Sequence, residues 1–310
     1  MTQKLLTIFS APKPFTNPHI ADIQYNALLS WVNLAPDVDV LLIGQEEGLP
    51  EASRYFGIQQ LDNVRRNEAG TPLISSMFQL ARSASTSPFL GIINTDILLL
   101  PDLLESLHVI AQRFDRFVMA GQRWNLEVEE RLKYSCEFYS QLKNKVMQEG
   151  IRHTLMGSDY FIFPRECYSD VPDFAIGRAG WDNWMIFKSR WEGWPFVDAS
   201  QDVMLVHQSH DYSHLANGQP HYRLPETKVN VRLAGGEHTI FTLKDATHLL
   251  KDGNITKQKN TWKSFWRKIE IYPLVTLHSI WLGKLFYAFF HPLKTYQKSR
   301  EWLRGGLKID

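Results

Sequence analysis

The chain has 310 residues, of which 44% are hydrophobic and 22% are charged. This length allows one large domain or two ordinary ones, and the composition excludes an intrinsically disordered protein. The formal net charge of +1 conceals an asymmetry: residues 255–310 carry eleven Lys/Arg against three Asp/Glu, and residues 1–254 carry 23 against 30. The body is therefore acidic and the tail basic, so we expect them to meet different partners.

The cysteines and the N-terminus bear on the compartment. Cys136 and Cys167 are the only cysteines in the sequence, and their spacing matches neither a zinc site nor a disulfide framework. The first apolar run is too short for the core of a signal peptide and leads directly into Pro12 and Pro14. We therefore predict a cytoplasmic protein.

Strand and helix patterns alternate through the first half of the chain. The predicted elements are strands at 5–9 and 38–44, helices at 19–34 and 71–84, a strand-like stretch at 88–100 and a helix to about 114. Thr71 and Pro72 have the residue types of an N-cap and a first helical position. Continuous apolar runs between helices predict an α/β fold in which a mostly parallel sheet is sandwiched by helices.

The pattern loosens after residue 117. The predicted elements are strands at 116–121, 158–164, 196–198 and 203–206, and helices at 131–150 and from 183 to about 193. The loops between them are rich in Trp, Gly and Asp. Such loops are where ligands are usually held.

The segment GIINTDILLLP, residues 91–101, places the carboxylate of Asp96 between two aliphatic runs. A buried charge is costly unless it is paired or coordinated. If the strand ends at Asn94-Thr95-Asp96, these residues lie at the carboxyl edge of the sheet, where open α/β sheets bind ligands. Oxygens of Asn94 and Asp96 would suit a divalent cation together with water and diphosphate. The alternative is that Asp96 only accepts backbone hydrogen bonds at a strand end.

A histidine cluster follows a late apolar strand. Residues 207–214, HQSHDYSH, hold three of the eleven histidines together with one aspartate. Histidine is a common metal ligand, although loop histidines also serve only as hydrogen-bonding groups. The cluster is compatible with a metal-dependent hydrolase, in which a metal-bound water attacks the substrate. The sequence offers no second cluster of comparable density to complete a two-metal site.

Asp182 lies in the aromatic segment Gly180-Trp181-Asp182-Asn183-Trp184. A carboxylate beside indole rings is partly desolvated, which raises its basicity and suits a general base. The alternative is that Asp182 is the N-cap of the following helix. The flanking glycine and tryptophans favour a sugar-binding platform, so we assign Asp182 as a catalytic base and Trp181 and Asn183 as acceptor contacts.

The order of these motifs resembles that of the GT-A glycosyltransferases, in particular the bacterial family-2-like transferases, over about residues 1–250. The resemblance rests on Asn94-Thr95-Asp96 after a strand and on Gly-Trp-Asp-Asn at 180–183. In that family an Asp-x-Asp motif holds Mn²⁺ or Mg²⁺ and the diphosphate of a nucleotide-sugar donor. Asn94 replaces the first Asp here, so only Asp96 is carried over as a metal ligand.

The resemblance also assigns roles further along the chain. It implies that a late histidine completes the metal site, with His207 the first choice and His210 the second, and that Asp182 is the base of an inverting enzyme. It divides a catalytic domain, residues 1–250, into a donor half of about 1–116 and an acceptor half of about 117–250.

Four more residues complete the predicted site. Lys13 follows the first strand and is placed to meet donor phosphate, unless it is a solvated lysine beside two prolines. Arg123 is assigned to the donor together with Asn94, Thr95 and Asp96. Trp124 and Asp159 are assigned to the acceptor, with a structural role as the alternative for Asp159.

Residues 251–310 are predicted to form a basic, aromatic extension. Lys284 interrupts its apolar part, and a central lysine disfavours a membrane span by roughly 2.5 to 3.5 kcal/mol. An interfacial helix or hairpin on anionic lipid fits better, which predicts a peripheral protein on the inner face of the membrane. A protein partner is the alternative occupant. The acidic body argues against nucleic acid.

These features predict metal-assisted transfer of a sugar, with inversion, from a nucleotide-diphospho-sugar donor to a glycan or lipid-linked acceptor, as in polysaccharide biosynthesis. Two other functions stay open. One is a catalytically degenerate domain that binds nucleotide-sugar or glycan, an alternative that stays open because Asn94 replaces the first Asp of the motif. The other is the metal-dependent hydrolase.

Overall fold

A computed structural model describes residues 3–210 and 224–305 of the chain. The helices of the described part are α1 Pro18–Val32, α2 Leu49–Phe56, α3 Ile74–Ala84, α4 Asp102–Ala111, α5 Phe138–Glu149, α6 Trp181–Trp191, α7 Pro225–Leu233, α8 Trp262–Val275, α9 Ile280–Phe290 and α10 Pro292–Gly305. The strands are β1 Leu6–Ser10, β2 Val38–Ile43, β3 Gln59–Leu61, β4 Phe89–Ile93, β5 Ile97–Leu98, β6 Val118–Ala120, β7 Arg123–Leu126, β8 Ile151–Arg152, β9 Tyr160–Pro164, β10 Phe196–Asp198, β11 Leu205–Gln208, β12 His248–Lys251 and β13 Asn254–Lys257.

A nine-stranded sheet organises the fold, in the order β13-β12-β10-β6-β9-β4-β1-β2-β3. Its pairs are parallel, except that β9 runs antiparallel between β4 and β6 and β13 runs antiparallel to β12. Every residue of β1 is buried, as expected for a strand covered on both faces.

Helices cover both faces of this sheet. Neighbouring side chains of a strand point to opposite faces. Ile8 packs in a cluster with Trp31 of α1 and Leu107 of α4, whereas Phe9 packs edge-to-face on Phe78 of α3 at 5.2 Å between ring centroids. The predicted α/β fold, with a mostly parallel sheet sandwiched by helices, is confirmed.

The predicted single strand at 88–100 is wrong in one respect, because the chain turns in its middle. Strand β4 ends at Ile93, and the amide of Ile97 donates to the carbonyl of Asn94 at 3.2 Å to close a turn. Strand β5 then leaves for a separate four-stranded sheet, in the order β5-β11-β7-β8. Residues 94–96 therefore lie at the junction of two sheets.

Two predicted helices begin later than expected. The first starts at Ile74 because Pro72 and Leu73 form isolated β-bridges with Arg66 and Ala175, so Thr71 is not its N-cap. The helix predicted at 131–150 occupies only Phe138–Glu149.

The chain divides into two compact units, Met1–Ser189 with Trp194–Gln258 and Arg190–Gly193 with Lys259–Asp310. The predicted boundary after residue 250 falls inside the β12–β13 hairpin. In the second unit, buried Gly283 lets α9 approach Leu274 of α8 closely. Among the described residues, no helix combines the length and apolar character needed to cross a membrane.

Candidate active site

A cavity of about 590 Å³ opens where several loops of the first unit converge. The loop after β1 supplies Lys13, the turn after β4 supplies Asp96, and the start of α6 supplies Asp182. Strands β1 and β4 are parallel neighbours, so their carboxyl ends meet at this edge of the sheet. The predicted location at the carboxyl edge therefore agrees with the structure.

Asp96, His207 and His210 form one cluster in this cavity. The Nε2 atom of His210 lies 3.2 Å from Oδ2 of Asp96, and Nε2 of His207 lies 3.8 Å from the same oxygen. Each residue offers a ligand atom, and these atoms lie within 4.8 Å of one another. The antiparallel pairing of β5 with β11 sets His207 opposite Ile97, the residue after Asp96. His214, at the end of the predicted histidine cluster, lies outside the described residues.

The charges in this cluster suit a metal ion. Burial alone raises the pKa of Asp96, but the charge of His207, the hydrogen bond to His210 and the charge of Lys13 together hold that pKa well below its usual range. Burial lowers the pKa of His207, although Asp96 opposes this. These shifts favour the ionised carboxylate of Asp96 and the neutral imidazole of His207, the forms that coordinate metals.

Two atoms of the cluster also lack partners among the described residues. Oδ1 of Asp96 and Nδ1 of His207 are buried and receive no hydrogen bond there. Buried polar groups normally form a hydrogen bond, and a buried group that lacks one costs about 1–3 kcal/mol of stability. One carboxylate and two imidazoles, with an unpartnered carboxylate oxygen, fit a divalent cation such as Mn²⁺.

Asn94 and Thr95 line the cavity, but their side chains bond elsewhere. Nδ2 of Asn94 donates to Oδ1 of Asp159 at 3.1 Å, and Arg123 Nη1 pairs with Oδ2 of the same carboxylate at 2.7 Å. The hydroxyl of Thr95 donates to Gln24 at 3.1 Å. Asn94, Asp159 and Arg123 therefore form a linked row along the cavity, beside the cluster of Asp96 and the two histidines.

Asp182 is the second residue of α6 and faces the cavity. Because α6 begins at Trp181, Asp182 lies inside the helix and not at the N-cap position ahead of it. Its Oδ1 accepts a long hydrogen bond of 3.3 Å from the amide of Gly180. Burial, with a further contribution from the charge of Asp159, raises the pKa of Asp182 to about 6 against the opposing backbone hydrogen bonds. A carboxylate of that basicity can accept a proton near neutral pH.

The loop before β9 approaches this carboxylate closely. A Cβ placed on Gly157 would lie 2.9 Å from Oδ2 of Asp182. Real Cβ atoms essentially never come that near another heavy atom, so a larger residue at position 157 would force the Asp182 carboxylate to shift. Gly157 was not among the predicted residues, because only the folded loop reveals its distance from Asp182.

Three predicted acceptor contacts have different surroundings. Trp181 lines the cavity but is largely buried, with its ring edge-to-face on Phe161 at 5.8 Å. Trp124 lies beneath the guanidinium of Arg152 at 5.6 Å, and Asn183 Nδ2 donates to the carbonyl of Phe241 at 2.8 Å. Neither Trp124 nor Asn183 lines the cavity, so the structure does not bring them to the site with the others.

The sequence prediction also missed an ion pair at the cavity wall. Arg178 donates from Nε to Oε2 of Glu226 at 2.7 Å, and Asn67 donates to the other carboxylate oxygen at 2.6 Å. This contact fixes the wall segment 176–182 to the loop that precedes α3. No local pattern signals this contact, since Glu226 lies 48 positions after Arg178 and 159 positions after Asn67.

Among known proteins, the chain is similar to several solved structures. No protein-family model matches the chain, and no curated protein matches it. The chain is similar to the mannosyltransferase PcManGT from Pyrobaculum calidifontis in complex with GDP-Man and Mn²⁺, at 14% identity and a TM-score of 0.43 over 68% of this chain and 59% of that one. It thus spans less than two thirds of that enzyme.

Two further solved structures are similar to the chain. Glucosyl-3-phosphoglycerate synthase from Mycobacterium tuberculosis, in complex with Mn²⁺, UDP and glucosyl-3-phosphoglycerate, is 10% identical with a TM-score of 0.45, over 76% of this chain and 81% of that one. S. aureus TarS is 10% identical with a TM-score of 0.41, over 66% of this chain and 37% of that one.

Proposed function

We propose that this protein is a GT-A type glycosyltransferase that moves a sugar, with inversion, from a nucleotide-diphospho-sugar to a glycan or lipid-linked acceptor. The observation that carries the proposal is the presence of two complementary groups in one cavity. One is the cluster of Asp96, His207 and His210, and the other is Asp182, a carboxylate with a raised pKa. Metal-assisted departure of a diphosphate and deprotonation of a hydroxyl require these two groups.

The cation side of the cavity suits a nucleoside diphosphate. Asp96, His207 and His210 would hold the metal, and two imidazoles favour Mn²⁺ over Mg²⁺, which prefers oxygen ligands. When bound, the metal would stabilise negative charge on the leaving diphosphate. Lys13, whose charge acts on Asp96 from the cavity wall, supplies a second positive charge for the phosphates.

The other side of the cavity suits the reacting sugar and the acceptor. Asp182 would accept the proton of the acceptor hydroxyl as that oxygen attacks the sugar from the face opposite the diphosphate. Asn94 and Arg123, which both bond to the carboxylate of Asp159, would contact the donor sugar, and Asp159, which also lines the cavity, would contact the acceptor. Trp181 contributes an apolar wall.

Release of nucleoside diphosphate from a panel of nucleotide sugars, with and without Mn²⁺, tests the proposal. We expect slow Mn²⁺-dependent release with one donor, acceleration by a glycan or lipid-linked acceptor, and an inverted anomeric centre by NMR. Binding of the donor without release would favour the degenerate binding domain. Mn²⁺-dependent cleavage of esters or amides without any nucleotide-sugar turnover would favour the hydrolase.

We propose further that residues 259–305, the described C-terminal part of the second unit, hold the enzyme on the inner face of an anionic membrane. The exposed aromatic residues of this part include Trp262, Trp281 and Phe289, the last with 80% of its surface accessible. Lys263 and Lys284 are exposed on the same helices. Exposed aromatic rings next to basic side chains suit the headgroup region of anionic lipid. This arrangement would bring the active site to a lipid-linked acceptor in polysaccharide biosynthesis.

Vesicle flotation with the full chain tests the membrane proposal. We expect recovery with phosphatidylglycerol vesicles, little recovery with phosphatidylcholine alone, and a loss of recovery on the double change Trp281→Ser and Phe289→Ser. Tyr55→Ser removes an equally exposed aromatic ring from α2 of the first unit and serves as the matched control. Equal flotation of the double variant and the unaltered protein would contradict the proposal.

A further inference from the structure

We infer that Gln24 of α1 is a positioning residue for the diphosphate site, because it ties the loop that carries Lys13 to the turn that carries Asp96. The inference rests on the proposed function, since it concerns the phosphate-binding side of that site. Gln24 is 1% exposed and does not line the cavity. It therefore acts through its neighbours and not on the substrate.

The side-chain amide of Gln24 holds the backbone of Lys13 on both sides. Oε1 accepts a hydrogen bond from the amide N of Lys13 at 2.6 Å, and Nε2 donates to the carbonyl of Lys13 at 2.9 Å. The two bonds fix the orientation of one peptide segment in a loop that contains three turn-forming residues, Pro12, Pro14 and Asn17. The direction in which the Lys13 side chain leaves the backbone is set by that segment.

The same amide also holds the turn after β4. The hydroxyl of Thr95 donates to Oε1 of Gln24 at 3.1 Å, so both lone pairs of this oxygen are used. Thr95 immediately precedes Asp96, whose carboxylate interacts with the charge of Lys13. Gln24 thus links, through one functional group, the cation that would meet phosphate and the carboxylate that would hold the metal.

The position of Gln24 on α1 supports a specific role. Its helical neighbours Ile20, Ile23, Ala27 and Leu28 are buried and apolar, and an amide buried among them is unfavourable unless its hydrogen bonds are made. Packing alone would be satisfied by an apolar side chain of similar length, such as Met. The three hydrogen bonds are what distinguish Gln24 from such a residue, and all three lead to the active-site loops.

Fixing Lys13 and Asp96 before the ligand arrives lowers the entropic cost of binding a diphosphate. Removal of the amide should therefore weaken the affinity for a diphosphate while the protein stays folded. Lys13 is one of the two groups through which Gln24 acts. The loss should thus be smaller when Lys13 is already absent, as double-mutant cycles show for coupled residues.

Isothermal titration of the full chain with inorganic pyrophosphate in saturating Mn²⁺ tests the inference. Gln24→Met should weaken pyrophosphate binding by about 10-fold, equivalent to about 1.4 kcal/mol, because Lys13 and Asp96 are no longer held in place before the ligand arrives. In a Lys13→Met background the same change should cost less than about 3-fold. Asn33→Leu removes the side-chain amide of the residue that follows α1, which among the described residues donates only to the carbonyl of Leu29 in that helix, and should leave the affinity unchanged.

The outcomes separate the inference from the function on which it rests. Absence of pyrophosphate binding by the unaltered protein would contradict the proposed function and the inference with it. Binding by the unaltered protein and equally by Gln24→Met, or the same fold-loss in both backgrounds, would overturn the inference alone. If Gln24→Met does not fold, Gln24→Glu replaces it, since a carboxylate keeps both accepted hydrogen bonds but cannot donate to the Lys13 carbonyl. We then expect a several-fold loss of pyrophosphate affinity, and an unchanged affinity would overturn the inference.

Discussion

Nε2 of His210 lies 3.2 Å from Oδ2 of Asp96, although 114 positions separate the two residues in the chain. The contact arises because β5, which begins one residue after Asp96, pairs with β11, which ends two residues before His210. The pairing of β5 with β11 in the second sheet therefore places the carboxylate of Asp96 beside His207 and His210. This arrangement is the structural basis of the proposed metal site.

Removal of either histidine should weaken Mn²⁺ binding. We expect His207→Ala and His210→Ala each to reduce the Mn²⁺ affinity by roughly 10- to 100-fold or more, since each removes a nitrogen ligand from a three-residue set. Titration calorimetry measures the effect. His108→Ala serves as the control, because within the described part of the chain His108 bonds only to the carbonyl of Leu104 in its own helix. Unchanged Mn²⁺ affinity in both site variants would show that the cluster is not the metal site.

Replacement of the proposed base should abolish most of the transfer. Asp182→Asn is expected to lower kcat by about 10²- to 10⁴-fold, the usual contribution of a general base. The pKa of Asp182 is raised to about 6, so transfer by the unaltered protein should rise with pH through that value and then level off. Rate measurements between pH 5 and 8 test both statements. Full activity of a folded Asn variant would exclude Asp182 as the base.

The same raised pKa predicts an effect on stability. The unfolded pKa is near 3.8 and the folded one about 6, so the folded state gains from proton binding at low pH and loses that gain as pH rises through about 6. The unaltered protein should thus lose stability between pH 4 and pH 8, whereas Asp182→Asn lacks this titration. The free energy of unfolding of Asp182→Asn, minus that of the unaltered protein, should therefore be larger at pH 8 than at pH 4, by on the order of 1–3 kcal/mol. Urea unfolding at the two pH values measures the difference. Asp62→Asn, which removes an exposed carboxylate, is the control.

A methyl group on Gly157 should obstruct the base. A Cβ there would lie 2.9 Å from Oδ2 of Asp182, so Gly157→Ala should displace the carboxylate and lower kcat. Mn²⁺ affinity should not change, because the metal cluster is made by other loops. Met156→Ala, a change of the exposed preceding residue, controls for general disturbance of the loop. Equal kcat for Gly157→Ala and the unaltered protein would contradict the expected displacement of the Asp182 carboxylate.

Asp159 should tune the base from the neighbouring row. Its charge is among the factors that raise the pKa of Asp182, after burial. In Asp159→Asn the rise of transfer rate with pH should therefore move to lower pH, even though the maximum rate falls through loss of the Arg123 pair. A pH-rate profile of the variant provides the measurement, and a shift to higher pH would contradict this electrostatic role.

Local patterns predicted the elements of the fold well where one face or both faces of an element are apolar. The apolar run of β1 and the helical periodicity of α1 are examples. The carboxylate between two aliphatic runs drew attention to Asp96, which the structure places in the cavity. Density of histidines was also informative, since the structure places His207 and His210 against Asp96. These signals are readable because each occurs within a few consecutive residues.

Contacts between distant segments could not be predicted in the same way. The side chain of Asn94 bonds to Asp159, 65 positions later, and Gln24 bonds to Thr95, 71 positions later. Trp124 and Asn183 were assigned to the acceptor because of their residue types and neighbours, yet they pack away from the cavity. The direction of a side chain depends on strand register and helix phase, which an aromatic-rich loop sequence does not determine.

Thermal denaturation with a panel of nucleoside diphosphates, in the presence and absence of Mn²⁺, tests the central claim most directly. A ligand that binds only the folded state raises the apparent Tm. We predict that at least one nucleoside diphosphate raises the Tm when Mn²⁺ is present, and that Asp96→Asn removes this rise. If no nucleoside diphosphate changes the Tm with or without Mn²⁺, the cavity does not bind a nucleotide-sugar donor and the proposed transferase function is wrong.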